Sequence, residues 1–142
     1  MIYLATPYSH SDQGVKDLRY LKAMQIQHFL LKEGLFVYSP IVSLHPLAHF
    51  YSLPGDAGHW LNFNTDMICL AESIIFALIP GYEASAGMVT EFTIACAHSK
   101  LRYVILEENN TFTLKGPTMY NPWTELELIK DNETFFKKVS NT

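Results

Sequence analysis

Four short, continuously apolar runs recur along the chain: IYLA at 2–5, LFVYS at 35–39, SIIFALI at 73–79 and LRYVILE at 101–107. A strand with one wet face alternates apolar and polar residues, so runs without alternation belong to strands covered on both sides. The intervals between them are long enough for helices. Val15, Leu18, Leu21 and Met24 keep helical spacing in a segment from about Val15 to Glu33, which Gly34 closes. Further helices are expected over about 56–71 and 86–99. Asn121 as a cap with Pro122 behind it predicts a last helix running to about Val139. The stretch 41–55, rich in His, Pro and aromatic residues, reads as a long functional loop, with Phe50 and Tyr51 forming a lid or a subunit contact.

Alternation of this kind implies an α/β protein: a Rossmann-like, flavodoxin-like parallel sheet of four to five strands with helices on both faces. Right-handed crossovers predict the strand order 2-1-3-4. Nothing in residues 1–142 resembles a linker or a repeat, so a single domain is expected.

Charge narrows the choice of partner. The net charge is -4 and the ten Lys and Arg are scattered, which argues against a nucleic-acid polymer, whose binding needs clustered cations. A single small phosphate stays open, because backbone amides can hold it. Cys69 and Cys96 are expected to be buried free thiols of a cytoplasmic protein. The run IIFALI at 74–79 is too short to span a bilayer, and no membrane partner is expected.

In a sheet ordered 2-1-3-4 the crossover direction reverses between strands 1 and 3, and ligands bind outside the carboxyl ends of the strands there. The loops meeting at that point carry TPYSH after strand 1 and PGYEASAG after strand 3. Tyr3, Tyr8, Ser9 and His10 are therefore expected to face Ser85, Gly87 and Glu91 across a crevice. Ser85, Ala86 and Gly87 would open the third helix, where unbonded N–H groups favour an anion. An ordinary serine N-cap explains Ser85 as well. Glu91 has apolar neighbours in Val89, Phe92, Ile94 and Ala95, an uncomfortable setting for a merely solvated carboxylate.

Four motifs, IYLATPYSH (2–10), SPIVSLHP (39–46), W…NTD (60–66) and PGYEASAGMVTE (80–91), resemble a small bacterial and phage domain family of unknown function. That family looks like a branch of the nucleoside 2-deoxyribosyltransferase superfamily. The resemblance covers roughly residues 1–106 and implies cleavage of an N-glycosidic bond. It implies Glu91 as nucleophile, Asp66, 25 residues upstream, as the carboxyl meeting the base, and Tyr3 as the residue orienting Glu91. The chemistry suits a retaining glycosidase mechanism, in which a carboxylate attacks C1′ and water releases the sugar. Six residues before the nucleophile, members acting on free nucleosides carry aspartate, and the 2′-deoxynucleoside 5′-phosphate N-hydrolases carry serine. Ser85 therefore implies a 5′-phosphate, with Ser9 and His10 as further phosphate contacts. Tyr82 stands where many of the branch have tryptophan, and is expected to touch the ligand. His45, in the SPIVSLHP motif, is expected to do so too. Superfamily members are commonly homo-oligomers whose sites a neighbour completes, here through Thr118, Met119 or Asn121.

Two other readings compete. His45, His49 and His59 with Asp56 invite a metal site, but the spacing HPLAH contains a proline, and neither metal nor cofactor is expected. A non-catalytic nucleotide-binding module would keep Ser85 and Gly87 yet have no use for Glu91 and Asp66.

Overall fold

The structure is a computed structural model and describes residues 1–54 and 57–132. A five-stranded sheet is built from β1 (Ile2–Ala5), β2 (Val37–Tyr38), β3 (Ser73–Ala77), β4 (Leu101–Glu108) and β5 (Thr111–Lys115), in the order β2-β1-β3-β4-β5. The first four strands are parallel in the predicted order. β5 pairs antiparallel with β4, so the sheet is mixed and not purely parallel. The hairpin that adds β5 turns on Asn109 and Asn110, both at positive φ (52° and 62°). Asparagine tolerates that region, and two such residues in succession make the tight turn favoured between antiparallel strands.

Side chains alternate across the sheet with period two. Tyr3, Ala5, Ile74, Phe76 and Val104 point to one face, where they meet Ile68 of α3 (Ala57–Leu70) and Met88 and Ala95 of α4 (Ala86–Ala97). Leu4, Ile75, Ala77, Tyr103 and Ile105 point to the other, against Ile26 and Leu30 of α1 (Gln13–Lys32). Asp12 caps α1, its Oδ1 accepting from the Gly14 N–H at 2.7 Å.

The expected loop 41–55 is instead largely helical, as α2 (Pro40–Tyr51). Ser39 caps it, accepting from the Val42 N–H at 3.2 Å, and Pro40 occupies the first turn, where its missing N–H costs nothing. Pro46 removes one internal hydrogen bond, but its neighbour His45 is buried against α1, and that packing carries the helix through.

The predicted last helix is also absent from the described residues. Asn121 does cap, its Oδ1 accepting from the Trp123 N–H at 2.8 Å, but only a turn follows, then a short 3-10 segment, Leu126–Leu128. The chain next lies along β5, with Lys115 and Asp131 forming a bridge and the Gly116 N–H donating to the Lys130 carbonyl at 2.9 Å. Residues 133–139 of the expected helix fall outside the described residues. Cys69 and Cys96, expected in the interior, are exposed: each lies on the outer side of its helix, and the Cys69 Sγ sits 3.6 Å from His98 Nε2. Among the described residues no helix is long and apolar enough to cross a membrane.

Candidate functional site

The crossover reverses between β1 and β3, and a cavity of about 270 Å³ opens at the carboxyl ends of those strands. That is slightly below the usual range of ligand cavities, roughly 300 to 1,000 Å³, and fits a small ligand only. Thr6, Tyr8 and Ser9 line it from the loop after β1, His45 from α2, Asn64 from α3, and Ser85, Gly87 and Glu91 from the start of α4. A smaller hollow of about 180 Å³ between α3 and α4 shares Asn64, Gly87 and Glu91.

Glu91 is the charged centre of the cavity wall. Its Oε2 accepts a hydrogen bond from Tyr3 Oη at 2.5 Å, joining residues 88 apart in sequence. Tyr3 lies in the middle of β1 with no exposed surface, because period two turns its ring under α4. Burial pushes the Glu91 carboxyl up to about 7, against which the Tyr3 hydroxyl pulls it down by bonding the charged form. Tyr3 itself is held well above the usual phenol range, by burial first and then by the Glu91 charge. The proton therefore stays on the phenol, and the carboxyl is left close to half-ionised at neutral pH.

At the helix start, Ser85 is the N-cap of α4, its Oγ accepting from the Met88 N–H at 3.3 Å. The N–H groups of Ala86 and Gly87, in the first turn, have no helical carbonyl behind them and border the cavity. Ser85 therefore caps the helix, as the plain N-cap reading expects, and also lines the cavity.

Opposite, the loop after β1 is clamped by α1. Arg19 Nη1 donates to the carbonyls of Tyr8 at 3.3 Å and Ser9 at 2.9 Å. Gly81, at φ +103°, lies so close to that guanidinium that a Cβ there would sit 2.3 Å from Nη2. One arginine thus holds the loop after β1 by hydrogen bonds and packs against the turn after β3. Tyr8 Oη lies 2.6 Å from His45 Nδ1, and His45 Nε2 lies 3.3 Å from Asp17 Oδ1. Burial holds His45 below the usual imidazole range despite the Asp17 charge, which favours the neutral ring.

Three expected site residues lie elsewhere. Asp66 is exposed and lines neither hollow. Its place is taken by Asn64: residues two apart on a helix point in nearly opposite directions, so a cavity-facing Asn64 turns Asp66 outward. His10 is exposed, and its Nδ1 accepts from the Asp12 N–H at 2.9 Å. Tyr82 packs on Trp123 with ring centroids 6.3 Å apart, and its carbonyl accepts from Trp123 Nε1 at 2.9 Å. Tyr8, Ser9, His45, Ser85, Gly87 and Glu91 do line the cavity, with Tyr3 beneath it.

Two lining residues carry a signal that the sequence did not disclose. Thr6, only 5% exposed, and Asn64 each bury a side-chain oxygen that has no hydrogen-bond partner among the described residues. A buried polar atom left unbonded costs about 1–3 kcal/mol. As for metals, no group of three or more His, Cys, Asp and Glu side chains suited to an ion occurs among the described residues. Asp56 of the proposed metal set lies outside them.

Residues 1–108 match the family described as a domain of unknown function, DUF1937, and the chain belongs to that family. The matched span ends with β4, so every cavity-lining residue falls inside it. No curated protein matches the chain significantly.

Proposed function

We propose that the chain cleaves the N-glycosidic bond of a nucleoside 5′-monophosphate, with Glu91 as the nucleophile. The observation that carries this reading is the Tyr3–Glu91 pair: a carboxyl oriented by a buried hydroxyl at 2.5 Å, on the wall of the cavity. The resemblance of the four motifs to the nucleoside 2-deoxyribosyltransferase superfamily supports the same reaction. Ser85 lies six residues before Glu91, about 9 Å along the helix axis at 1.5 Å per residue. That separation suits a ligand whose phosphate rests at the amino end of α4 and whose sugar reaches the carboxylate.

In the first step Glu91 attacks C1′, the bond from C1′ to the base nitrogen breaks, and its electron pair leaves with the base, which takes a proton from water. In the second, water attacks C1′, Glu91 departs and a proton is released to solvent. Asn64 replaces Asp66 as the group meeting the base, by hydrogen bonding and not by proton donation. Transfer of the sugar to a second base in place of water follows the same course.

A second reading is a non-catalytic nucleotide-binding module. The exposed position of Asp66 favours it, since the second carboxyl implied by the resemblance is missing from the cavity. Base release from ribo- and deoxynucleoside 5′-monophosphates and free nucleosides, followed by chromatography, decides between them. Release by the wild type, confined to phosphorylated substrates and lost in Glu91→Gln, is expected. Saturable binding without release, unchanged in Glu91→Gln, would establish the binding module instead. The reading includes a homo-oligomer, to which light scattering should assign at least twice the mass of 16.2 kDa.

A further inference from the structure

The row Tyr8–His45–Asp17 crosses from the cavity wall to α1 and has no part in the chemistry at Glu91. Its protons can be placed by elimination. A carboxylate only accepts, so His45 Nε2, 3.3 Å from Asp17 Oδ1, carries a hydrogen. A neutral imidazole has one N–H, which leaves Nδ1 with a lone pair. The 2.6 Å contact from Nδ1 to Tyr8 Oη then requires a proton between them, and only the phenol can supply it. Tyr20 stacks on the His45 ring at 4.4 Å and 22°, resisting the ring flip that would exchange the two nitrogens.

We infer that Asp17 and His45 fix Tyr8 Oη as a hydrogen-bond acceptor towards the cavity, so that the bound ligand presents a hydroxyl donor at this wall. Tyr8 has spent its one hydrogen on His45, and what remains is lone pairs. A phosphate oxygen, itself an acceptor, is unwelcome there, whereas the amino end of α4 offers donors. The two walls therefore have opposite hydrogen-bonding sense and set the direction in which an elongated ligand lies. Naming the donor rests on the nucleotide reading above: with the phosphate at Ser85, the group that reaches Tyr8 is a sugar hydroxyl. Asp17 and His45 are positioning residues, and Tyr8 is the specificity contact.

Two measurements test this separately. In the ligand-free protein labelled with 15N-histidine, long-range proton–nitrogen spectra at pH 7.5 should show a neutral His45 with hydrogen on Nε2 and none on Nδ1. The resonances are assigned by their loss in His45→Gln. A hydrogen on Nδ1 would overturn the inference whatever the protein binds. The second measurement uses Glu91→Gln protein to prevent turnover. Calorimetry compares the four common 2′-deoxynucleoside 5′-monophosphates with their 2′,3′-dideoxy counterparts, with and without Tyr8→Phe. Losing one hydrogen bond should weaken the deoxynucleotide about tenfold and leave the dideoxy compound within about twofold. An equal effect on both would overturn the hydroxyl contact. Binding of none of these nucleotides, with the His45 tautomer as expected, would instead refute the nucleotide reading of the cavity.

Discussion

Replacing Glu91 by glutamine removes a charge from a place where the fold disfavours it. The glutamine oxygen still accepts from Tyr3 Oη, and its amide nitrogen faces the cavity, so the shape of the site is kept. An ordinary glutamate carboxyl titrates near 4.5, and burial raises this one to about 7. A carboxyl that prefers its proton in the folded state loses stability as pH rises. Below 4.5 the group is protonated in both states and contributes nothing. Between 4.5 and about 7 only the unfolded chain ionises freely, and above that the penalty is complete. The full gap is worth about 3 kcal/mol. Glu91→Gln should therefore match the wild type at pH 4.5 and be more stable at pH 8.5 by up to about 3 kcal/mol, or roughly 10 °C in melting temperature. Urea titrations of both proteins across that range measure the difference directly. Parallel stability curves, or a mutant less stable at high pH, would refute the reasoning. Glu91 would then be a well-solvated or structurally required acceptor, and its raised titration would be unfounded.

The same logic extends to its neighbours. Tyr3→Phe leaves a carboxylate without its donor; it should destabilise the protein by about 1–3 kcal/mol at pH 8 and move the Glu91 ionisation above about 7. If Glu91 is the nucleophile, kcat/KM for base release should rise with pH to a plateau above about 7 in the wild type, and this limb should shift upward in Tyr3→Phe. A rate that falls through the same range would make Glu91 a proton donor. Ser85→Ala should lose about 1 kcal/mol of stability as a missing cap, whereas Ser85→Asp, a good N-cap, should keep stability yet lose nucleotide phosphate binding at least tenfold, as urea titration and calorimetry would show. Gly81→Ala strains a positive φ and displaces the Arg19 guanidinium from the carbonyls it holds; a loss of about 1–3 kcal/mol is expected in denaturant titrations, and no loss would show that the clamp is dispensable.

The apolar runs revealed the four parallel strands, because burial on both faces leaves no freedom to alternate, and right-handed crossovers then set their order. The Asn109–Asn110 pair was an available sign of β5 that carries no hydrophobic pattern, since TFTLK is half wet at the sheet edge. Pro46 misled the reading of α2 because a breaker is visible in sequence while the stacking of His45 on Tyr20 is not. At the site, the meeting of Ser85 and Glu91 with the loop after β1 was legible from the strand order, which brings those segments to one switch point. Asp66 and Asn64 were not distinguishable, since a difference of two positions decides the face only once the helix is docked. Thr6 gave no signal at all: its meaning lies in an oxygen left unbonded by its surroundings. Tyr82 and His10 had the right chemistry in the right loops, but one is claimed by Trp123 and the other by the backbone before α1.

Both margins of the sheet are occupied or cut short. β2 pairs over only two residues, and its Val37 carbonyl accepts from Gln27 Nε2 at 3.0 Å. On the far side, residues 130–132 run along β5, with the Asn132 N–H donating to the Leu114 carbonyl at 3.0 Å. Among the described residues, an edge so short on one side and partly covered on the other is a poor template for another strand. Copies of this chain are thereby steered away from strand-to-strand pairing, the route that leads on to open-ended fibrils. For copies of the chain to meet, the outer side of α3 offers exposed apolar surface at Phe63 and Leu70, and contact through a helix face can be limited to a closed number of copies.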